Sequence, residues 1–300
     1  MNYVLHLLIL LDVYVIVAMS LNVIVGYVGL LTLAHAAYFA LGGYTYALIT
    51  LLLGWEFVPA ALASIVVAMV FSLALSLASW RLKGDFFVLF SLAVQVAVYT
   101  VIWNWRKSGT EPGTWENLTN GIDGLNAIVK PVLFGIKIDQ ITGIALLYTG
   151  LMLGVAVLTR QMLTSPWGRM LKAIRDDELA ARGLGKNVRV VKMQAIGVAA
   201  ALAGFAGAMF ASYMAFINPM SFDLNQSIML LSMIIVGGVG NAFIGPFFGA
   251  LILIAIPEAL RFLDLPLVVA AELRLMIFGL LLIVMMRWRP QGVAGSYRME

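Results

Sequence analysis

An all-α polytopic membrane protein of about nine transmembrane helices (8–10 within the reach of the boundaries) is the fold that the sequence predicts, on three observations. Only 11% of the 300 residues are charged and 62% are hydrophobic, whereas a soluble domain carries about a quarter charged residues. Apolar runs close to the ~20 residues that span a bilayer recur along the whole chain. No stretch is long and polar enough to make a separate soluble domain, so residues 1–300 read as one membrane domain.

The segments follow in order, at roughly 3–25, 28–53, 58–80, 86–103, 141–160, 193–217, 225–243, 245–263 and 267–288. The first carries no basic residue before it; the first positive side chain is Arg81. A signal peptide opens on a basic region, so this segment reads as a retained transmembrane helix. The second is punctuated by Gly26, Gly29, Gly42 and Gly43. Such glycines either let helices approach closely or break a helix whose ends line a pathway, and Gly237–Gly249 poses the same alternative. The fourth segment holds Ser91 and Gln95. After it, residues 104–140 are rich in turn formers, with Pro112, Gly113, Asn117, Thr119-Asn120-Gly121, Asp123-Gly124 and Pro131. Unpaired backbone of that kind cannot sit in hydrocarbon, so it caps one end of the bundle, as a solvated loop or as a docking surface. The sixth segment places Ala200, Gly204, Ala208 and Ser212 four apart on one stripe, and the eighth carries Gly245-x-x-x-Gly249, both surfaces for close helix packing.

Basic residues orient the bundle. Arg81 and Lys83, the eight between Arg160 and Lys192, and Arg287, Arg289 and Arg298 fall on one side if the segments alternate, thirteen of the nineteen Lys and Arg. The other side receives Glu56, Glu111, Glu116, Asp123, Asp139, Asp223 and Asp264. The expectation is therefore a cytoplasmic 160–192 loop and C-terminus, an extracytoplasmic 104–140 loop and an external N-terminus.

Catalytic constellations are nearly absent. With no cysteine and with His6 and His35 far apart, no metal-ligand cluster forms. The chain has no G-x-x-x-x-G-K-[ST], so it lacks the P-loop that binds ATP. Asp176-Asp177-Glu178 cannot converge as ligands, because neighbouring helical residues point in different directions. An enzyme is the weakest reading. Intramembrane polar residues carry function by default: Ser20, Asn22, Thr32, His35, Gln95, Asn225 and Gln226 are candidates for lining a pathway, against the alternative of interhelical hydrogen bonds. Buried carboxylates that could couple to an ion gradient are scarce, with Asp12 and Glu258 the candidates.

The most telling stretch is the basic loop. Ser165-Pro166 is an N-cap followed by proline at the first helical position. Met170, Leu171 and Ile174 then form an apolar stripe, with Arg169, Lys172 and Arg175 on the other faces. Asp176 or Asp177 caps a second short helix, Ala180 and Ala181 give it a face with almost no side chain, and Gly183 and Gly185 end it. A small-faced, charge-flanked helix suits a groove on another protein; an amphipathic helix lying on the membrane is the alternative.

These residues resemble the cytoplasmic loop of permease subunits of ABC importers for branched-chain amino acids, in the LivM-like branch of the branched-chain amino acid/ribose permease superfamily. The resemblance rests on Ser165-Pro-Trp-Gly-Arg169, Ala173-Ile-Arg-Asp-Asp-Glu178-Leu-Ala-Ala181 and Leu184-Gly185. It extends, in order, to Ser20–Tyr44, Thr119-Asn-Gly-Ile-Asp-Gly-Leu125, Gly237–Pro246 and Arg287-Trp-Arg-Pro-Gln-Gly292. It implies a transport subunit of the bacterial or archaeal cytoplasmic membrane, working with a second homologous permease, two P-loop ATPase subunits and an extracytoplasmic substrate-binding protein. It also implies that this chain binds no cofactor and that ATP and Mg are used by the ATPase subunits. By resemblance Arg175, Glu178, Ala180, Ala181 and Gly185 form the ATPase-coupling element. Thr119, Asn120, Gly121, Asp123 and Gly124 face the binding protein, with Asn120 departing from the Gly expected there. The cargo that the resemblance implies is a branched-chain or other hydrophobic amino acid, or a related amide or urea. The alternative is a stand-alone secondary carrier or channel for a small polar solute.

Overall fold

A computed structural model describes residues 2–82, 84–126, 128, 130–133, 135–261, 267–289 and 291–295. Lys83, Asp264 and Arg298, three of the charges used above for orientation, lie outside the described residues.

The chain is a helical bundle. Its long helices are α1 (Asn2–Asn22), α2 (His35–Leu53), α3 (Phe57–Ala78), α4 (Asp85–Asn104) and α5 (Ile141–Thr164), followed after two short helices by α8 (Val188–Met214), α9 (Leu224–Gly237), α10 (Ile244–Arg261) and α11 (Leu267–Trp288). The short pair is α6 (Pro166–Asp176) and α7 (Glu178–Gly183). Among the described residues eight helices are long and apolar enough to cross a membrane; α11, the ninth expected segment, is a 22-residue helix outside those eight.

Helix α8 is the axis, gripped by α2 and α3 and touching α1. The small residues explain why. A Cβ on Gly42 of α2 would run into the Gly204 backbone, and one on Gly207 into the carbonyl of Phe39. Gly204 in turn faces Ser64 and Ala68 of α3. Helix α3 shows the pattern on one element. Its inward face is Ala60, Ala61, Ser64, Ala68, Ser72 and Ser76, at helical spacing, and its exposed face is Leu62, Val66, Val70, Leu73 and Leu77. Lipid solvates large apolar side chains as well as a core does, so close backbone approach decides which face turns inward.

The second expected segment is indeed interrupted, but at its start. Helix α1 passes directly into a π-helical turn, Val23–Val28, and ends at Gly29, whose φ of 76° lies in the left-handed region. Residues 29–34 are not helical, and α2 begins at His35. Gly42 and Gly43, by contrast, lie within continuous helix and serve packing. The seventh segment is shorter than expected, because α9 stops at Gly237 and residues 238–243 turn back. There Gly245 and Gly249 meet Gly237 and the Met233 carbonyl, a glycine-on-glycine contact between α9 and α10.

Two minimal antiparallel pairings close one end of the bundle. Strand β1 (Leu125–Asn126) pairs with β4 (Phe216–Ile217), and β2 (Val132–Leu133) with β3 (Ile136–Lys137). Residues 105–140 thus sit beside the N-terminus of α1, where His6 Nδ1 meets the Tyr213 hydroxyl at 2.6 Å. The opposite end carries α6, α7 and the stretch Gly292–Gly295, tied back where the Val293 N–H donates to the Val236 carbonyl at 2.9 Å.

Candidate functional site

The loop between α5 and α8 forms as its capping residues dictate. The Ser165 hydroxyl accepts the Trp167 N–H at 3.2 Å and Pro166 occupies the first position of α6. Leu171 and Ile174 are buried against the bundle. Of the two aspartates that could cap α7, Asp177 does so, accepting the N–H groups of Leu179 (2.8 Å) and Ala180 (3.0 Å). Gly185, with φ 74°, closes the C-terminal side.

The two charged residues expected to couple to a partner turn inward. The Arg175 side chain is only 9% exposed. Its Nη1 donates to the Gly26 carbonyl at 2.5 Å, inside the π-helical turn. Its stem lies against Gly29, while Lys172 stands over the Tyr27 ring at 5.1 Å. Glu178 takes Lys192 of α8 at 2.9 Å, with side-chain exposures of 17% and 6%, and also binds Arg182 one turn along α7. Ala181 is buried as well, whereas Ala180 and Gly185 are exposed. The outward side here adds two residues that the sequence reading missed, Leu179 on α7 and Leu184 just after it, 71% and 80% exposed. Their signal was available. Large apolar residues on or just after a six-residue helix between charged neighbours have no bundle to enter, because Ala181 already fills the inward position.

The π turn that Arg175 grips leads into the broken backbone at 29–34. Irregular chain at this depth must find partners inside the protein, and it does. The Leu33 N–H donates to Ser91 Oγ (2.9 Å), the Ser227 hydroxyl donates to the Leu33 carbonyl (2.6 Å), and the Ala34 N–H donates to Thr32 Oγ1 (3.2 Å). His35 Nε2 meets Ser20 Oγ at 2.6 Å. Gln95 donates to the Phe222 carbonyl at 2.9 Å, and Asn22 to the Asn241 carbonyl at 2.7 Å. Ser20, Thr32 and His35 are thus buried at the interruption, while Asn22 is buried against the 240–241 turn and Gln95 against Phe222. His35 Nδ1, Gln95 Oε1 and the Tyr38 hydroxyl in the same region are buried without a hydrogen-bond partner among the described residues.

Asn225 and Gln226 lie elsewhere. They line a cavity of about 410 Å³ between α1, α9, α10 and α11, toward the end that carries residues 105–140. Gln226 donates to the Tyr14 hydroxyl at 3.2 Å across it.

At that end, Thr119 is buried and donates to the Ile102 carbonyl at 2.6 Å, pinning the loop to the last turn of α4. Asn120 holds a left-handed φ of 57° and donates to the Gly124 carbonyl at 2.9 Å. Gly121 and Gly124 are buried too, so these four shape the loop. Asp123, exposed and paired with Arg106 at 2.6 Å, is the member of the set that reaches the surface.

A multi-helix bundle with broken, polar-lined backbone inside it and a capped helix pair packed at one end is the architecture of a polytopic membrane protein. The chain belongs to the branched-chain amino acid transport system / permease component family, whose model matches residues 3–286. It is 31% identical over 304 residues to the high-affinity branched-chain amino acid transport system permease protein LivM of Escherichia coli (strain K12), covering 94% of this chain and 67% of that one. The LivM of Salmonella typhimurium matches equally, at 31% over 307 residues. A probable LivM of Methanocaldococcus jannaschii is 22% identical over 227 residues, 72% of this chain and 62% of that one. No solved structure matches. The chain is a LivM-like permease, a multi-pass subunit of an ABC transporter.

Proposed function

We propose that the chain forms, with a second related permease, the path by which an ATP-driven importer carries branched-chain or other hydrophobic amino acids into the cytoplasm. In this reading Leu179 and Ala180 of α7 and Leu184 just after it seat in a cleft of a P-loop ATPase subunit, and ATP and Mg are bound by that subunit. Residues 105–140 face an extracytoplasmic binding protein, with Asp123 and the 79% exposed Trp115 at the contact. Two ATPase subunits complete the assembly in the cytoplasmic membrane, with the C-terminus on their side.

The observation that carries the reading is the pair of rigid links from the α6–α7 loop into the bundle. The Glu178–Lys192 pair fixes α7 to α8, and Arg175 fixes α6 to the π turn at Gly26. A push on α7 therefore reaches both the central helix and the interruption at 29–34. ATP-driven closure of the ATPases would supply the differential free energy that any such shift requires. Arg175 and Glu178 act as struts in this mechanism, while Leu179 and Leu184 make the contact.

The test is to purify the tagged chain from its native membrane in mild detergent and identify what accompanies it by mass spectrometry. Wild type is expected to bring down a second permease and P-loop ATPases; Leu184→Asp is expected to lose the ATPases and keep the permease. Recovery of the chain alone, still transporting in liposomes without ATP, would replace this reading with the stand-alone carrier.

A further inference from the structure

The cavity between α1, α9, α10 and α11 carries charges of both signs. Asp223 enters its wall just before α9, Glu258 from α10, and Arg274 from two turns inside α11. The rest of the lining is largely apolar, with Leu10, Ile254 and Phe278 among it. A charged side chain within a membrane-spanning helix is costly unless it is paired or faces a polar cavity, and it marks a solute path by default. The two carboxylates already have partners. Glu258 accepts the Tyr3 hydroxyl, and Asp223 accepts the Gln226 N–H at 3.0 Å and the Asn225 amide at 2.8 Å. Arg274 makes no hydrogen bond or ion pair among the described residues.

Helix-capping needs explain Asp223, whereas Arg274, exposed on α11, lines the cavity with its charge unmatched by a side chain among the described residues. Its planar fork matches a carboxylate with two parallel hydrogen bonds, which an ammonium or amide donor cannot reproduce. On the same cavity wall, the carboxylates retain lone pairs able to hold a cationic nitrogen. A cavity of about 410 Å³ falls within the size range of small-molecule sites.

We propose that this cavity is a resting site for a zwitterionic amino acid, with Arg274 holding the α-carboxylate, Glu258 and Asp223 the α-ammonium, and the apolar wall the side chain. The proposal rests on the importer reading and extends it. It gives the permease its own recognition of the cargo's charged groups, separate from that of a binding protein.

The test uses the absence of cysteine from the sequence. Met229, half-buried on the cavity wall, is replaced as Met229→Cys in the full chain in lipid nanodiscs, and the rate of thiol alkylation by N-ethylmaleimide is followed. Leu158→Cys, in an apolar groove between α5 and α8, is the control. Millimolar L-leucine is expected to slow alkylation of the Met229→Cys thiol several-fold and to leave the Leu158→Cys thiol unchanged. Leucinamide, lacking the carboxylate, and isocaproate, lacking the ammonium, are expected not to protect. Adding Arg274→Gln should raise the half-protecting leucine concentration by about tenfold or more, the loss of charge-assisted hydrogen bonds. Arg274→Lys, which keeps the charge and guards against a folding defect, should fall in between.

Absence of protection by leucine, equal protection by leucinamide, or protection that survives Arg274→Gln unchanged would overturn the site. Leucine uptake by native-host vesicles with and without the chain judges the importer reading separately. Chain-dependent uptake without protection sinks the cavity site alone, and uptake independent of the chain sinks the reading beneath it.

Discussion

At the residue scale the decisive pair is Glu178 and Lys192. The Lys192 side chain, 6% exposed near the start of α8, is met by the Glu178 carboxylate at 2.9 Å. Removing one partner of a buried pair costs more than the pair contributes, since it strands the other charge. Glu178→Ala is therefore expected to loosen α7 by about 2 kcal/mol, seen as faster amide exchange confined to residues 177–185 with the bundle's thermal unfolding little changed. ATP hydrolysis should then continue while uptake fails. Glu178→Arg, which adds repulsion to Lys192, should be worse on both readouts. Unchanged exchange in Glu178→Ala would show that the Asp177 cap and the buried Ala181 hold α7 without the ion pair.

Gly29 is the second such position. Its φ of 76° and the Arg175 stem against it leave no room for a side chain. Gly29→Ala should destabilise the protein by about 1–2 kcal/mol through the left-handed backbone alone, and should also push Arg175 from the Gly26 carbonyl. A lower unfolding temperature together with impaired coupling is the expected result; a lower temperature with normal coupling would separate Arg175 from the mechanism.

At the scale of elements, α2, α3 and α8 show how membrane helices select partners. Gly42, Gly204 and Gly207 are contact surfaces, whereas Gly150 and Gly154 of α5 have open space where a Cβ would sit. Gly42→Ala overpacks a backbone contact and is expected to cost about 1–3 kcal/mol, read as a lower melting temperature in detergent. Gly154→Ala should be neutral or slightly stabilising, because helix propensity improves by roughly 0.5–1 kcal/mol where nothing clashes. Equal effects at both positions would refute the packing assignment. The small-residue spacing in segment six announced the surface of α8, but not which helices would use it. The alternation of small and large residues on α3 becomes readable only once α8 is in place.

At the scale of the whole molecule, the two ends differ in kind. One bears β1–β4 and the pinned 105–140 loop; the other bears α6, α7 and the returning Gly292–Gly295. In the reading proposed above, the second end lies in the cytoplasm. In the cysteine-free chain, Ser108→Cys should react with an impermeant maleimide in intact spheroplasts and Lys186→Cys only after permeabilisation. The reverse pattern would invert the assembly and with it the import direction.

Much of this was already legible in the chain. Nine apolar segments, two polar loops and a Ser-Pro cap can be read locally, because helix formation in a bilayer needs only length, apolarity and internally satisfied backbone. The capping of α7 by an aspartate and its closure by Gly185 are equally local. Tertiary structure alone decided the rest. Arg175 and Gly26 lie 149 residues apart, and nothing near either shows that a π turn offers one the other's carbonyl. Glu178 pairs with Lys192 inside the chain, a contact that depends on where α8 delivers that lysine. Asn225 and Gln226 parted from the other polar candidates because the start of α9 faces a separate cavity walled by α1, α10 and α11. Hydrophobic length is a property of a segment, whereas the pairing of a buried charge or an interrupted backbone is a property of whichever segments pack beside it.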